Sequence, residues 1–405
     1  MVRAGLECLL RDRIDILRGR RAGICCNPTA ILPDLRHGVD ALHAHRGVDL
    51  RRLFGPEHGV RGTAQDMVEV GESVDADTGL PVTSLYGSDE ASLKPRPEDL
   101  EDLDVLIFDI QDVGSRYYTY VYTLAYCLEA CNEAGVQVIV CDRPNPIRGD
   151  RLEGNLVDLD HCRSFVGRFA LPNRHGLTVG ELARWFCAQM GMPGGEDALL
   201  VIPCEGWSRD HWFDRTGLAW VMPSPNMPTL ETAIVYPGQC LLEGTNLSEG
   251  RGTTRPFELC GAPWIRPQAL RREMERLAGK WALRGVGFRE AAIQPTFQKF
   301  AGQVCGGLQL HVTERDRFEP LATTVALLIA VRRLYPDEFA WRTEPYEFVS
   351  DRPAIDLLSG DASIRELVDA GGELPEIQAV WRQAEREFRE SVKSHFLYGR
   401  PPASR

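Results

Sequence analysis

The 405-residue sequence carries none of the short signatures that announce cofactor or metal chemistry. No GxGxxG follows the first strand-like run, so a dinucleotide is not expected. There is no Walker loop to cradle a phosphate, no HExxH or paired-histidine spacing for zinc, and no GxSxG elbow to present a serine. Neither a metal nor a cofactor is expected. Positive charge is in deficit, with 46 Lys and Arg against 58 Asp and Glu and a net charge of −12. That argues against nucleic acid as a partner, which needs a broad basic face. It leaves room for a small anionic substrate, because a few clustered arginines set the local field inside a cleft. Apolar runs are too short to span a bilayer, and the opening MVRAGLECLLRDRIDILRGRR has no apolar stretch long enough for a signal peptide. A cytoplasmic protein without membrane contact is the expectation. The twelve cysteines include no CxxC pair and no Cys/His array with zinc spacing, and so read as buried reduced thiols.

What is present is an alternation of apolar strands and helices. Ala22 to Cys26, Val48 to Phe54, Asp104 to Ile110, Val136 to Cys141 and Leu199 to Pro203 read as strands. Helical patterns cover Leu6 to Leu17, Leu35 to Arg46, Tyr118 to Ala134 and Leu177 to Met190. Continuous apolar strands between helices signal a parallel sheet covered on both faces. The fold class is therefore α/β, a Rossmann-like doubly wound domain over residues 1–225. The proline-rich VMPSPNMPTLETAIVYPG breaks the pattern near Pro223 to Thr229. Residues 226–405 are expected to form a smaller α+β domain, with helices at Pro267–Ala278, Pro320–Leu334 and Ile377–Val392 and a strand at Gly307–Thr313.

Ligands of open α/β sheets bind outside the carboxyl ends of the strands. Three polar loops follow strands: GPEHGVRG from Gly55, QDVGSRYY from Gln111, and DRPNP from Asp142. Glu57, bracketed by Gly55 and Gly59, is placed to act as a general acid if partly desolvated. It could equally cap a helix or pair with Arg61. In QDVGSRYY, Arg116 suits bidentate binding of a carboxylate, or a salt bridge that closes the loop, and Tyr117 can stack on a sugar. EGTNLSEGRGTTRPFE, from Glu243, has little to bury and so is read as a site-lining loop or a solvated connection. Two carboxylates acting together are the simplest metal-free hydrolytic chemistry these residues allow. Glu57 is the candidate acid, with Glu249, Glu243 and Asp112, in that order, as the second group. Candidate substrate contacts are His58, Gln111, Arg116, Tyr117, Asn145, His175, Asn226, Thr245, Asn246 and Arg251.

The stretches CNPTAI, LFGPEHGVRG, DTGLPVTSLYG, FDIQDVGSRYYTY, DRPNP, LEG, PNRHGLT, PSPNMP, EGTNLSEGRGTTRPFE and PTFQKFAG run from about residue 23 to 302. In this order they resemble a bacterial family, once a domain of unknown function, that includes the exo-β-N-acetylmuramidases of peptidoglycan recycling. The resemblance implies an active site on the Rossmann-like domain, a smaller second domain closing the cleft, and release of terminal N-acetylmuramic acid from the non-reducing end of a fragment. It makes Glu57 the expected catalytic acid, since the glutamate of GPEHG is the proposed acid of the family. The lactyl carboxylate of muramic acid would then be read by Arg116 or Arg251. Many relatives carry export signals, which this sequence lacks. Two other readings compete: a non-catalytic binder of cell-wall sugars, and a sugar-phosphate- or nucleotide-using α/β enzyme.

Overall fold

A computed structural model describes residues 1–62, 73–87, 89–192 and 195–399. The short tail after Tyr398, which reads as low in complexity, lies, apart from Gly399, outside the described residues. The main sheet contains β1 (Arg21–Cys26), β2 (Asp49–Gly55), β3 (Ser73–Val74), β4 (Pro81–Ser84), β5 (Val105–Asp109), β6 (Gln137–Cys141) and β7 (Leu199–Ile202). Its order is β3-β4-β2-β1-β5-β6-β7, and only the β3–β4 pair is antiparallel. Leaving out the short β3, the parallel strands follow the doubly wound order in which the chain reverses direction between its first and fourth strands. Here that switch point lies between β1 and β5, whose ends are level: Cys26 pairs with Asp109.

Every residue of β5 is buried, as a strand covered on both faces requires. The helix Tyr120–Ala134 covers one face and buries its whole first half, Tyr120 to Leu128. A smaller three-stranded antiparallel sheet, ordered β8 (Leu259–Ala262), β10 (Cys305–Val312), β9 (Val286–Ile293), forms the second domain with its helices. At its centre the helix Pro320–Leu334 is buried on all sides from Pro320 to Val331, the pattern of a core helix rather than a surface one.

Several elements differ from the sequence reading for identifiable reasons. The first helix stops at Asp12, because Arg13 leaves helical geometry at φ −133°, and a separate 3₁₀ turn follows at Ile14–Leu17. The second begins only at Gly38, since Leu35 has φ +67° and the His37 side chain caps Val39 N–H. The proline-rich stretch hides a helix, Leu230–Gln239, started by a Thr229 cap and carrying Pro237 near its end.

The last described residues return to the first domain. The Tyr398 hydroxyl donates to Asp142 Oδ2 at 2.5 Å, and Leu397 N–H donates to Glu181 at 2.9 Å. Asp142 also accepts from the Thr178 hydroxyl and from the Arg143 and Gly180 amides. Burial nevertheless pushes its carboxyl up to about 6 from an ordinary 3.8. The folded protein thus holds this proton more tightly than the unfolded chain does. This contribution to stability is greatest in acid and falls as pH rises through the window from 3.8 to about 6. The unfolding free energy of the protein, relative to that of Asp142→Asn, should therefore fall by up to about 3 kcal/mol as pH rises across that window. Urea titrations at intervals of pH would measure it, and a constant difference would show that the carboxyl stays ionised.

Candidate active site

The loops after β1, β2 and β5 meet beside the switch point and are joined by buried hydrogen bonds. After β1, Asn27 Oδ1 accepts from the Thr29 amide and hydroxyl at 3.0 and 2.6 Å, and Nδ2 donates to the Pro223 carbonyl at 3.2 Å. The Thr29 hydroxyl accepts from the Gln111 amide after β5 at 2.9 Å. The Tyr120 hydroxyl donates to the same Pro223 carbonyl at 2.7 Å and lies 3.3 Å from the Glu57 carbonyl. The segment that crosses between the domains is thereby fastened to the strand ends.

Within GPEHG, His58 and Gly59 have φ of +72° and +77°. Glycine adopts this left-handed geometry freely, whereas a histidine does so only when its surroundings enforce it, and such strain gathers at functional sites. Glu57 is half-buried and His58 buried. Both line a small cleft, part of it open to solvent. Tyr117 to Tyr120 line it from the same domain, and Ser224 from the crossing segment. Tyr236, Glu243, Arg251, Tyr346 and Glu347 line it from the second domain. The tyrosines form an edge-to-face chain, with ring centres 5.1 Å apart for Tyr118–Tyr120, 5.6 Å for Tyr118–Tyr236 and 5.7 Å for Tyr117–Tyr236. The chain ends on Phe257, over which Arg251 lies at 5.3 Å. Burial, reinforced by the charge of Glu57, raises the Tyr120 phenol well above its ordinary pKa and keeps it neutral.

Besides Glu347 at its rim, the carboxylate that faces Glu57 across the cleft is Glu243. Its Oε1 accepts from Arg251 Nη2 at 2.7 Å and its Oε2 from the Tyr346 hydroxyl at 2.8 Å. Burial pushes its pKa up, but Arg251 and Tyr346 outweigh that and hold it below the usual carboxylate value. The site thus sets an anionic Glu243 across from Glu57. Two carboxyl groups in distinct surroundings are what acid-assisted glycoside hydrolysis uses.

The structure reorders the candidates that the sequence offers. Glu57, His58, Tyr117, Glu243 and Arg251 share the cleft. Glu249, ranked ahead of Glu243 in the sequence, is instead locked behind it, bonded to Lys299 Nζ at 3.0 Å and 3.6 Å from Arg251 Nε. Asp112 is buried against His175, whose Nε2 lies 3.2 Å from Oδ2, while His175 Nδ1 accepts from Leu177 N–H. This pair shapes the loop and does not line the cleft. Arg116 is wholly buried and donates to the carbonyls of Asn155, Leu171 and Leu358, so its expected contact with a substrate carboxylate is corrected to a structural role. Gln111 and Asn145 spend their amides on the carbonyls of Asp112, Pro144 and Leu177. Thr245 bonds Leu242 and Leu247, and Asn246 bonds Glu338 and Ala340, fixing loop shape. Asn226 is buried in the crossing segment, two residues from Ser224. The sequence reading missed Tyr236, Tyr346 and Glu347. Lys299 was visible as the lone lysine of PTFQKFAG, and its ammonium is bonded to Leu242 O, Leu247 O and Glu249.

A larger groove, with about 1410 Å³ of partly open space, runs between residues 150–153 and the helix Leu374–Val392. Arg382, Arg386 and Arg389 are balanced there by Glu153, Glu319 and Glu385. Burial beside Glu153 pushes the Glu385 carboxyl up to about 8. None of the strand-end loops after β1, β2 or β5 reaches this groove, so the smaller cleft is the candidate site. Among the described residues, no group of three or more histidine, cysteine or carboxylate side chains is placed to hold a metal, and no helix is long and apolar enough to cross a membrane.

Comparison with known proteins places the chain in a class of enzyme. Models of the N-terminal and C-terminal parts of the exo-β-N-acetylmuramidase NamZ match residues 22–231 and 234–398. The chain is accordingly a glycosidase, with a doubly wound domain followed by a smaller one. It is 43% identical over 397 residues to the peptidoglycan β-N-acetylmuramidase NamZ of Bacillus subtilis (strain 168), covering 98% of this chain and 91% of that one. Crystal structures of two DUF1343 family proteins from Bacteroides fragilis NCTC 9343 superpose with TM-scores of 0.86 and 0.77. They share 34% and 27% identity and cover 98–99% of this chain and 99% of each of those. The chain belongs to the NamZ family of exo-β-N-acetylmuramidases.

Proposed function

We propose that the chain releases β-linked N-acetylmuramic acid from the non-reducing end of peptidoglycan fragments, with Glu57 as general acid and Glu243 as the second carboxylate. The observation that carries this reading is the placement of Glu57 and a charged, half-buried Glu243 on one cleft from different domains. Glu57 protonates the departing glycosidic oxygen as the anomeric carbon gains oxocarbenium character. Glu243, anionic at the outset, faces that charge and takes the proton of the incoming water as the water oxygen bonds to the anomeric carbon. His58 and Tyr117 contact the sugar. Of the two arginines that could read the lactyl carboxylate, only Arg251 lines the cleft. We place the domain boundary at residues 225–226. We place the protein in a reducing, cytoplasmic setting, because all twelve cysteines are unpaired and eleven of them are buried.

The test is hydrolysis of a chromogenic β-N-acetylmuramide beside the matching β-N-acetylglucosaminide. Release from the muramide alone is the expected result. Saturable binding without release from either would favour a non-catalytic sugar binder. Arg251→Met should reduce the preference for the muramide by about tenfold or more, as expected for loss of a charge-assisted contact. An unchanged ratio would remove Arg251 from lactyl recognition.

A further inference from the structure

Glu243 is carried on the 3₁₀ turn Cys240–Gly244, and one of its two oxygens is held by a residue from a distant part of the chain, Tyr346. Tyr346 and Val349 exchange both backbone hydrogen bonds, at 2.8 and 3.0 Å, closing a two-residue hairpin around Glu347 and Phe348. Both central residues have positive φ, +45° and +68°. That is the turn geometry which normally selects asparagine and glycine, and neither is present. Two attachments hold it. The segment leading into it pairs Trp341 with Thr245 in an isolated bridge, and Arg342 N–H donates to the Gly244 carbonyl at 2.9 Å, directly beside Glu243. At the tip, Phe348 packs on Phe165 and Tyr86 of the first domain, with ring centres 6.1 and 6.5 Å away.

We propose that Tyr346 is a positioning residue for the glycosidase reaction: its hydroxyl holds the Glu243 carboxylate toward the cleft, and the strained 346–349 turn, clamped by Phe348 on the first domain, keeps that hydroxyl in place. The inference rests on the assignment of Glu243 as the second carboxylate. Rotation of a glutamate side chain would let Glu243 follow Arg251 alone, toward Glu249 and away from the sugar. A second donor, fixed by a rigid phenol, removes that freedom. Because the turn also touches the first domain, the orientation of Glu243 depends on the two domains being closed on each other.

The groups that face Glu243 are Arg251 from its own loop, Lys299 from the 294–304 segment, Tyr236 and Cys240 from the preceding helix and turn, and Tyr346 and Glu347 from the hairpin. Glu57 approaches from the first domain. Loss of the Tyr346 hydroxyl leaves the other charges in place, so Glu243 takes up a proton more readily. The acid limb of kcat/KM then moves to higher pH.

The experiment is the pH profile of kcat and KM for Tyr346→Phe and, separately, Phe348→Ala, with Glu243→Gln as reference and a thermal melt confirming that each is folded. Tyr346→Phe should shift the acid limb up by about one pH unit and lower kcat by about tenfold, with KM changed less than about twofold. Phe348→Ala should move the same limb in the same direction by less. If Glu243→Gln is inactive while both hairpin variants keep the acid limb and kcat of the parent, the positioning role is overturned and the assignment of Glu243 stands. If Glu243→Gln keeps near-normal turnover, the assignment itself fails and the proposal fails with it.

Discussion

Replacing Glu57 by glutamine is expected to lower kcat on an unactivated muramyl glycoside by about 10²–10⁴-fold, the range for loss of a positioned general acid. Glutamine fills the same volume in GPEHG and preserves the backbone at His58 and Gly59, so binding should persist and KM should change little. The loss should shrink sharply for an aryl glycoside whose leaving group departs without protonation, because that substrate no longer needs the acid. The alkaline limb of the pH profile should flatten in the same variant. Steady-state kinetics on the two substrates separate this from a folding defect, which would reduce both rates alike. Equal losses on both, or near-normal hydrolysis of the unactivated glycoside, would place the acid elsewhere in the cleft.

A comparably large effect, on stability, is expected at the switch point. Asp109 ends β5 and is wholly buried, and Arg143, just past β6, reaches its two oxygens at 2.5 and 2.8 Å. Burial works against the Arg143 charge, but Asp109 more than restores it. Arg143→Met should destabilise the protein by about 3–5 kcal/mol, because it strands a carboxylate in the interior. Adding Asp109→Leu should recover much of that loss, since an apolar pair carries no uncompensated charge. Urea unfolding of the two single variants and the double variant provides the cycle. If the double variant proved no more stable than Arg143→Met, the cost would lie in packing and not in charge. Because Asp109 immediately precedes the loop that carries Tyr117 to Tyr120, the same variants should also loosen the cleft floor.

The doubly wound domain was legible because its signals are local. Strands such as VLIFD and QVIVC are too apolar to be anything but buried, and helix-period segments separate them. That the loops after β2, β5 and β6 share one edge follows from strand direction alone, which is why Glu57 and Tyr117 could be placed together, although DRPNP after β6 contributes no residue to the cleft. The second domain was less legible. Its strands are short or mixed in polarity, as in VGFREAAI, and its helix Leu230–Gln239 contains a proline. The site residues it contributes were harder still. Nothing in WRTEPYEFV announces that Tyr346 meets a glutamate 103 positions earlier, since that contact exists only once the second domain has folded. Arg116 shows the opposite failure. A charged residue in a glycine-containing loop looks available for a ligand, yet its guanidinium serves three backbone carbonyls from separate segments, and sequence cannot distinguish a satisfied arginine from a waiting one. Order of preference between Glu249 and Glu243 turned on the same point, for Lys299 had already claimed Glu249.

During synthesis the doubly wound domain leaves the ribosome with most of its sheet available, but Asp142 then lacks its phenol donor and Glu181 its amide from Leu397. Both partners arrive only after the helix Leu374–Val392 has been made and has docked. The domain translated first is therefore the last to be finished, and its final hydrogen bonds form only when the chain behind it has folded. Domains joined by a single linker can fold and unfold as separate beads. A chain that leaves its first domain and then returns to seal it is better suited to melt in one cooperative transition, with the cleft surviving intact until the whole molecule gives way.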